Sequence, residues 1–481
     1  MLALGLFAAG LVLVPFDAFR GVAFLGELGN EASFFLFAPA IALMALGALG
    51  RDLHSLLDSW VLRIGAAALA IIGLSFFANI DGIIGTVVRE RSAIGKFATS
   101  LMVVGYGFSL AWLVEQLGAE KAHHAITRFV CLSVVIALAF LPIEWLGERG
   151  YLGGLYEAID GIIHSRQSDI INAWDGSVND KVLYDWDERL RSVSFEPPAF
   201  GNYTGLAWPW VWYAAVSAET SRRRMLGWTL LIVLTIAIIA TDSRTGMLLL
   251  AVNLAAMALI ATLYGRVGQS REAVVAARVL APTAVGIAGL VGAAWLYVYY
   301  DQLVPGLVAG DSVSNLSRAA LQISGFEMFA DNPVFGTGFG QFGVNVAPYL
   351  PDWAFRSSEV GPMITFPEAP WPAAYSLYAR LGAELGLLGL IGWVGLWLGL
   401  ALKLAQARTD GGRSVLLHWP VIMNCFGVLA SGIASDTFRT PMFWVAMGIG
   451  CALVKTTAVS PAYEPQPSPA PLRLPVPHRL P

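Results

Sequence analysis

One recurrence constrains this chain more than any other feature. Stretches of about 18–20 apolar residues with few or no charges, each enough to cross roughly 30 Å of hydrocarbon, follow one another along most of its length. They fall near residues 2–17, 34–50, 59–79, 97–117, 126–146, 202–219, 226–241, 245–264, 279–299, 376–400, 418–434 and 441–456. In lipid a backbone satisfies its own hydrogen bonds only as a helix or a closed barrel. Barrel strands alternate polar and apolar residues, and these stretches do not. The expected fold is all-α, a polytopic membrane protein of about twelve transmembrane helices. Composition agrees: 56% of the 481 residues are hydrophobic and 13% charged, against about a quarter charged in soluble domains.

Basic residues set the expected orientation. "SRRRM" (221–225), "GRVGQSREAVVAAR" (265–278), "KLAQARTDGGR" (403–413) and the tail from Lys455 fall on one side, which the positive-inside rule makes cytoplasmic. Both termini are then inside, the N-terminal stretch being a first span and not a cleaved signal. Two long loops, 147–201 and 300–375, lie outside within a single helical domain of residues 1–456. Their aromatic content favours ordered caps over the membrane mouth. Residues 457–481 form a Pro-rich tail that cannot pack a core and is expected to be disordered. Cys131, Cys425 and Cys451 sit inside apolar stretches, spaced neither for a metal nor for a disulfide, and read as buried small hydrophobes.

Charges on the outer side need a reason, because short outer loops avoid basic residues. Arg189 and Arg191 precede the sixth span, Arg244 sits in the tight turn "TDSRTG", Arg318 opens a helical stretch of the second loop, and Arg380 lies one turn into the tenth span. Singly, each could be solvated or snorkel to lipid phosphate. As a set they suit an anionic head group, since the guanidinium fork binds phosphate in bidentate fashion. Glu196, Asp242 and Glu368 are near enough in sequence to act as bases or to pair with these arginines. Arg380 and Glu384, four apart on one helix face, could pair as well.

Three stretches together resemble the O-antigen ligase and O-antigen polymerase superfamily: "RLRSVSFEPPAFGNYTGLA", "TDSRTGMLLLAV", and the pair "FADNPVFGTGFGQF" with "AYSLYARLGAELGLLGLIG". The last fits the family's pattern at Ser376, Gly386 and Gly389, and the resemblance spans roughly residues 190 to 400. It implies transfer of a saccharide from an undecaprenyl diphosphate carrier at the periplasmic face of the bacterial inner membrane. Membrane lipid would surround the site, and a chain-length regulator or other assembly proteins could be partners. Neither a nucleotide sugar, a metal, a cofactor nor a nucleic acid is implied. Arg191, Arg244 and Arg318 would hold the diphosphate, joined by Arg380, and Gly336, Gly338 and Gly340 would shape the loop over it.

At the position of the family's ligase histidine this chain has Tyr375. Tyrosine, with a pKa near ~10, orients an acceptor better than it deprotonates one. Glu196, Glu368 or His164 would then serve as base, or leaving-group stabilisation by the arginines would dominate. The departure favours a polymerase of surface polysaccharide repeats over a ligase to lipid A core. A lipid-linked sugar transporter is the competing class, but no half-to-half similarity is visible.

Overall fold

The computed structural model describes residues 1–19, 21–49, 58–165, 189–266, 313–367, 369–406 and 412–459. The expected span at 279–299, Glu368, parts of both outer loops and the tail after Val459 lie outside the described residues. In chain order the elements are α1 (Leu2–Val12), α2 (Phe34–Leu49), α3 (Trp60–Ala78), α4 (Ile80–Gly85), the hairpin β1 (Val87–Val88) and β2 (Arg91–Ser92), α5 (Ala93–Leu117), α6 (Ala119–Glu148) and α7 (Gly154–Ile163). There follow α8 (Pro197–Val216), α9 (Ser221–Ala240), α10 (Arg244–Arg266), α11 (Val313–Asp331), α12 (Phe342–Asn345), α13 (Val360–Thr365), α14 (Leu377–Gln406), α15 (Gly412–Ala434) and α16 (Pro441–Val459). The chain is an all-α membrane protein. Among the described residues six helices are long and apolar enough to span: α3, α5, α6, α9, α14 and most of α15. α1, α2, α10 and α16 are shorter apolar helices.

The bundle is built round α8, whose Trp208, Trp210 and Trp212 are all buried. A helix apolar on every side belongs in an interior, and α8 contacts α6, α9, α10 and α15. Trp212 stacks on Trp419 with ring centres 5.6 Å apart. Polar cross-links add specificity between helices: the Asn253 amide donates to the Gly205 carbonyl at 2.7 Å, and the Ser431 hydroxyl donates to Asn202 at 2.7 Å.

α14 is broken at Gly386, whose φ of 63° and ψ of −153° are not helical. The break strands backbone groups that lipid could not satisfy. Residues 333–340 satisfy them instead. Thr337 N–H donates to Ala383 O at 2.7 Å, Gly338 N–H to Glu384 O at 3.1 Å, and Leu387 N–H donates to Pro333 O at 2.8 Å. Ser75 of α3 adds a hydroxyl to Glu384 O at 2.9 Å. The first half of α14, with Arg380 and Glu384, is thereby enclosed by protein.

A second device fastens the loop between α11 and α14. Arg89 and Arg91 of the hairpin lie 4.9 and 4.3 Å from the Trp371 ring centre. Arg91 donates to Ala369 O at 2.7 Å, and Arg89 to the carbonyls of Met363 and Phe366. Residues 313–367 and 369–375 are thus fastened, with α11 where the helical spacing predicts a helix.

Candidate functional site

Residues 189–196 form an anchored strap at the mouth of the bundle. Buried Glu144 accepts the backbone N–H groups of Arg191 and Ser192 at 3.0 and 2.8 Å. The Arg191 guanidinium, only 7% exposed, reaches Asp160 at 3.2 Å and lies 3.9 Å from Glu144. His164 is held by Asp160 at 2.7 Å and by the carbonyl of Ser194 at 3.0 Å. Burial alone would raise the Asp160 carboxyl, but the His164 hydrogen bond and the charges of His164 and Arg191 outweigh it and hold the group below its usual range. Arg191 and His164 thus both bind Asp160 inside the protein.

Arg189, two residues earlier, takes another direction and donates to Asp242 O in the α9–α10 turn at 2.8 Å. In that turn Asp242 has a φ of 50° and the Ser243 hydroxyl caps α10 by accepting Gly246 N–H at 3.2 Å. The turn presents Arg244, which donates to Asn315 of α11 at 2.9 Å. One turn along α11, the Arg318 guanidinium lies over the Tyr375 ring, 5.2 Å from its centre. Arg244 lies close enough to Arg318 and Arg189 for their charges to repel one another. Among the described residues the buried Nε of Arg318 has no hydrogen-bond partner. Three guanidinium groups from separate elements thus share one neighbourhood, a field that stabilises an anion.

Tyr375 is fixed from two sides. Its φ is 52°, a conformation uncommon for tyrosine, and Gln322 donates to its carbonyl at 3.1 Å. Next to it Ala374 N–H meets Asp436 at 2.6 Å and Leu377 N–H meets Ser435 O at 2.9 Å. Burial, reinforced by Glu359, Glu196 and Asp436 and only partly offset by Arg318, raises the phenol above its usual pKa. It stays neutral at physiological pH, able to donate a hydrogen bond but not to take a proton.

The other expected site residues are placed as follows. Arg380, 8% exposed, binds Glu384 at 3.2 Å and Asp436 O at 2.7 Å, and covers Phe438 at 5.3 Å. It ties α14 to the loop before α16. Gly336, Gly338 and Gly340 have positive φ, and a Cβ at Gly336 would come 2.3 Å from the Glu384 backbone. Gly336 lets the loop enter the break in α14, while Gly338 and Gly340 let it pass close to Ile83 of α4 and Ser100 of α5. Glu196, at the N-cap of α8, lines a cavity of about 100 Å³. Glu359, which accepts the Ser317 hydroxyl at 2.5 Å, and Asp436 are two carboxylates beside Tyr375 that sequence reasoning missed. The only sequence signal for Asp436 is its position in a short polar link between two spans.

An apolar cavity of about 140 Å³ lies among α3, α5, α14 and α16. Its walls include Ala67, Ala68, Phe339, Leu381, Gly392 and Phe438, the last beneath Arg380.

The sequence model of the O-antigen ligase family matches residues 229–394. The chain carries a domain of the O-antigen ligase superfamily. No curated protein matches the chain. The O-antigen ligase-type stretch contains Arg244, Arg318, the three loop glycines, Tyr375 and Arg380. Arg189, Arg191, His164 and Glu196 lie before it. The match supports a glycan ligase or polymerase role on a lipid-linked saccharide for this multi-pass membrane protein.

Proposed function

We propose that the chain polymerises saccharide repeats carried on undecaprenyl diphosphate, at the periplasmic face of the inner membrane. The observation that carries this reading is the meeting of Arg189, Arg244 and Arg318, the last of them over the ring of neutral Tyr375. The arginines would bind the diphosphate of the donor, with Arg191 acting through the strap that aims Arg189. The carrier's isoprenoid tail would enter the apolar cavity among α3, α5, α14 and α16. An acceptor hydroxyl attacks the donor's anomeric carbon as the C–O bond to the diphosphate breaks. The bonding electron pair leaves with the diphosphate, whose charge the guanidiniums neutralise. The hydroxyl proton passes to Glu196, while the Tyr375 hydroxyl orients the acceptor. Tyr375 in place of a histidine base supports polymerase over ligase.

The test is reconstitution of the full chain in proteoliposomes with carrier-linked repeats and no nucleotide sugar. Lengthened carrier-linked glycan is the expected product. Transfer to lipid A core without lengthening favours the ligase, and movement of carrier across the bilayer with no new glycosidic bond favours a transporter.

A further inference from the structure

Beside the arginine cluster lies the cavity of about 100 Å³ that Glu196 lines. Most of its walls come from outside the family-matched stretch. The link between α1 and α2 supplies Asp17 and Glu31, α8 supplies Asn202 and Tyr203, and residues 434–442 supply Thr437 and Arg439. From the matched stretch comes Thr245, next to Arg244. The walls are already fixed. Asp17 accepts Phe195 N–H at 2.7 Å, Ser194 donates to Pro15 O at 2.9 Å, and Arg439 binds buried Glu31 at 3.3 Å. The walls offer carboxylates, an amide and hydroxyls, and also apolar surface from Pro198 and Met442 and the aromatic Tyr203. A sugar ring needs both kinds of surface, polar groups for the hydroxyls at its rim and apolar ones for the C–H groups on its faces.

The cavity also adjoins the reacting groups. Glu196 acts on the Tyr375 phenol, and Ser435 in the cavity wall holds Leu377 N–H. Three carboxylates face one guanidinium that is itself bound to Glu31, so the formal charge of the walls is negative. A carboxylated sugar would meet that charge unpaired, which is how a site rejects a wrong ligand.

Resting on the glycosyl-transfer reading, we infer that this cavity is the acceptor-sugar subsite and that Asp17, Glu31 and Asn202 select a neutral or amino sugar over a uronic acid. Saturation-transfer NMR on the full chain in nanodiscs tests it, with glucose, glucosamine, N-acetylglucosamine and glucuronic acid as probes. Expected are signals from the first three and none from glucuronic acid. Ala199→Phe, which fills the cavity, should abolish them. Asp17→Asn, which keeps the acceptor for Phe195 N–H, should weaken binding about tenfold, the scale of a lost charged hydrogen bond. Farnesyl diphosphate binding reports the arginine cluster separately and should persist in both variants. Equal binding of glucuronic acid, no sugar signal in the wild type, or signals unmoved by Ala199→Phe while farnesyl diphosphate still binds would overturn the inference. Loss of farnesyl diphosphate binding in the wild type would overturn the parent reading instead.

Discussion

The guanidinium of Arg318 lies 5.2 Å from the centre of the Tyr375 ring, joining α11 to the chain two residues before α14. Arg244 reaches the same helix through Asn315 at 2.9 Å. These contacts hold two positive groups at α11, one of them over the neutral Tyr375 ring, although repulsion would separate them in an open surface. An anion bridging the guanidiniums would relieve that repulsion.

Arg244→Ala should therefore lower glycosyl transfer at least 100-fold, because one oriented charge on a leaving group contributes several kcal/mol to the transition state. Stability should change by about 1 kcal/mol or less, since no core packing is lost. Arg244→Lys should recover only part of the rate, lacking the bidentate fork. Initial rates in proteoliposomes and thermal unfolding in detergent check both halves. Full activity in the alanine variant removes the diphosphate assignment.

Tyr375 carries a raised phenol pKa, so ionisation falls above its usual value near ~10. The folded state then binds the phenolic proton more tightly than the unfolded state does. The stabilisation is fully present below about pH 10 and is lost as pH rises through the folded value. Between pH 6 and about 9 the rate profile should show no limb from this group. Tyr375→Phe should lower the rate about 10-fold, the worth of one oriented hydrogen bond, without changing the profile's shape. A shape change on that substitution would make Tyr375 a proton carrier.

The strap asks for a different outcome at Arg191. Its guanidinium lies between Asp160 and fully buried Glu144. Arg191→Ala leaves Glu144 without its neighbouring charge, and removal of one partner from a buried pair costs about 3–5 kcal/mol. Unfolding in detergent should reveal the loss, alongside weaker activity as Arg189 and Glu196 lose their support. Arg191→Ala with unchanged stability and no transfer would instead place Arg191 on the substrate.

The contrast between Arg191 and Arg244 shows how far the sequence could be read. Apolar periodicity was sufficient for a helical membrane bundle, because helix length in lipid is set by thickness and the signal is local. The turn at "TDSRTG" and the helix carrying Arg318 were also legible, each being a local pattern. What Arg191 binds was not, since Glu144 and Asp160 come from α6 and α7 and nothing in their spacing announces the pairing. The same holds for Asp436 beside Tyr375. Arg189 and Arg191 look alike in sequence, and only the strap's path sends one to the α9–α10 turn and the other to Asp160 and Glu144.

The break in α14 yields the sharpest structural expectation. Gly386 has a φ of 63° and ψ of −153°, a region open essentially only to glycine. A Cβ there would lie 2.5 Å from the Val334 carbonyl. Backbone strain alone gives Gly386→Ala a cost of about 1–3 kcal/mol, and the clash pushes the inserted loop away from Ala383 and Glu384. Arg380 and Glu384 then lose their enclosure, so transfer should fall together with stability. Gly395→Ala in the same helix is the control, because its Cβ meets nothing within 4 Å. There alanine should be neutral or slightly stabilising, up to about 1 kcal/mol. Unfolding temperatures of the two variants, measured side by side in detergent, decide it. If Gly386→Ala unfolds no earlier than Gly395→Ala, the break is not the joint that holds the outer loop against α14.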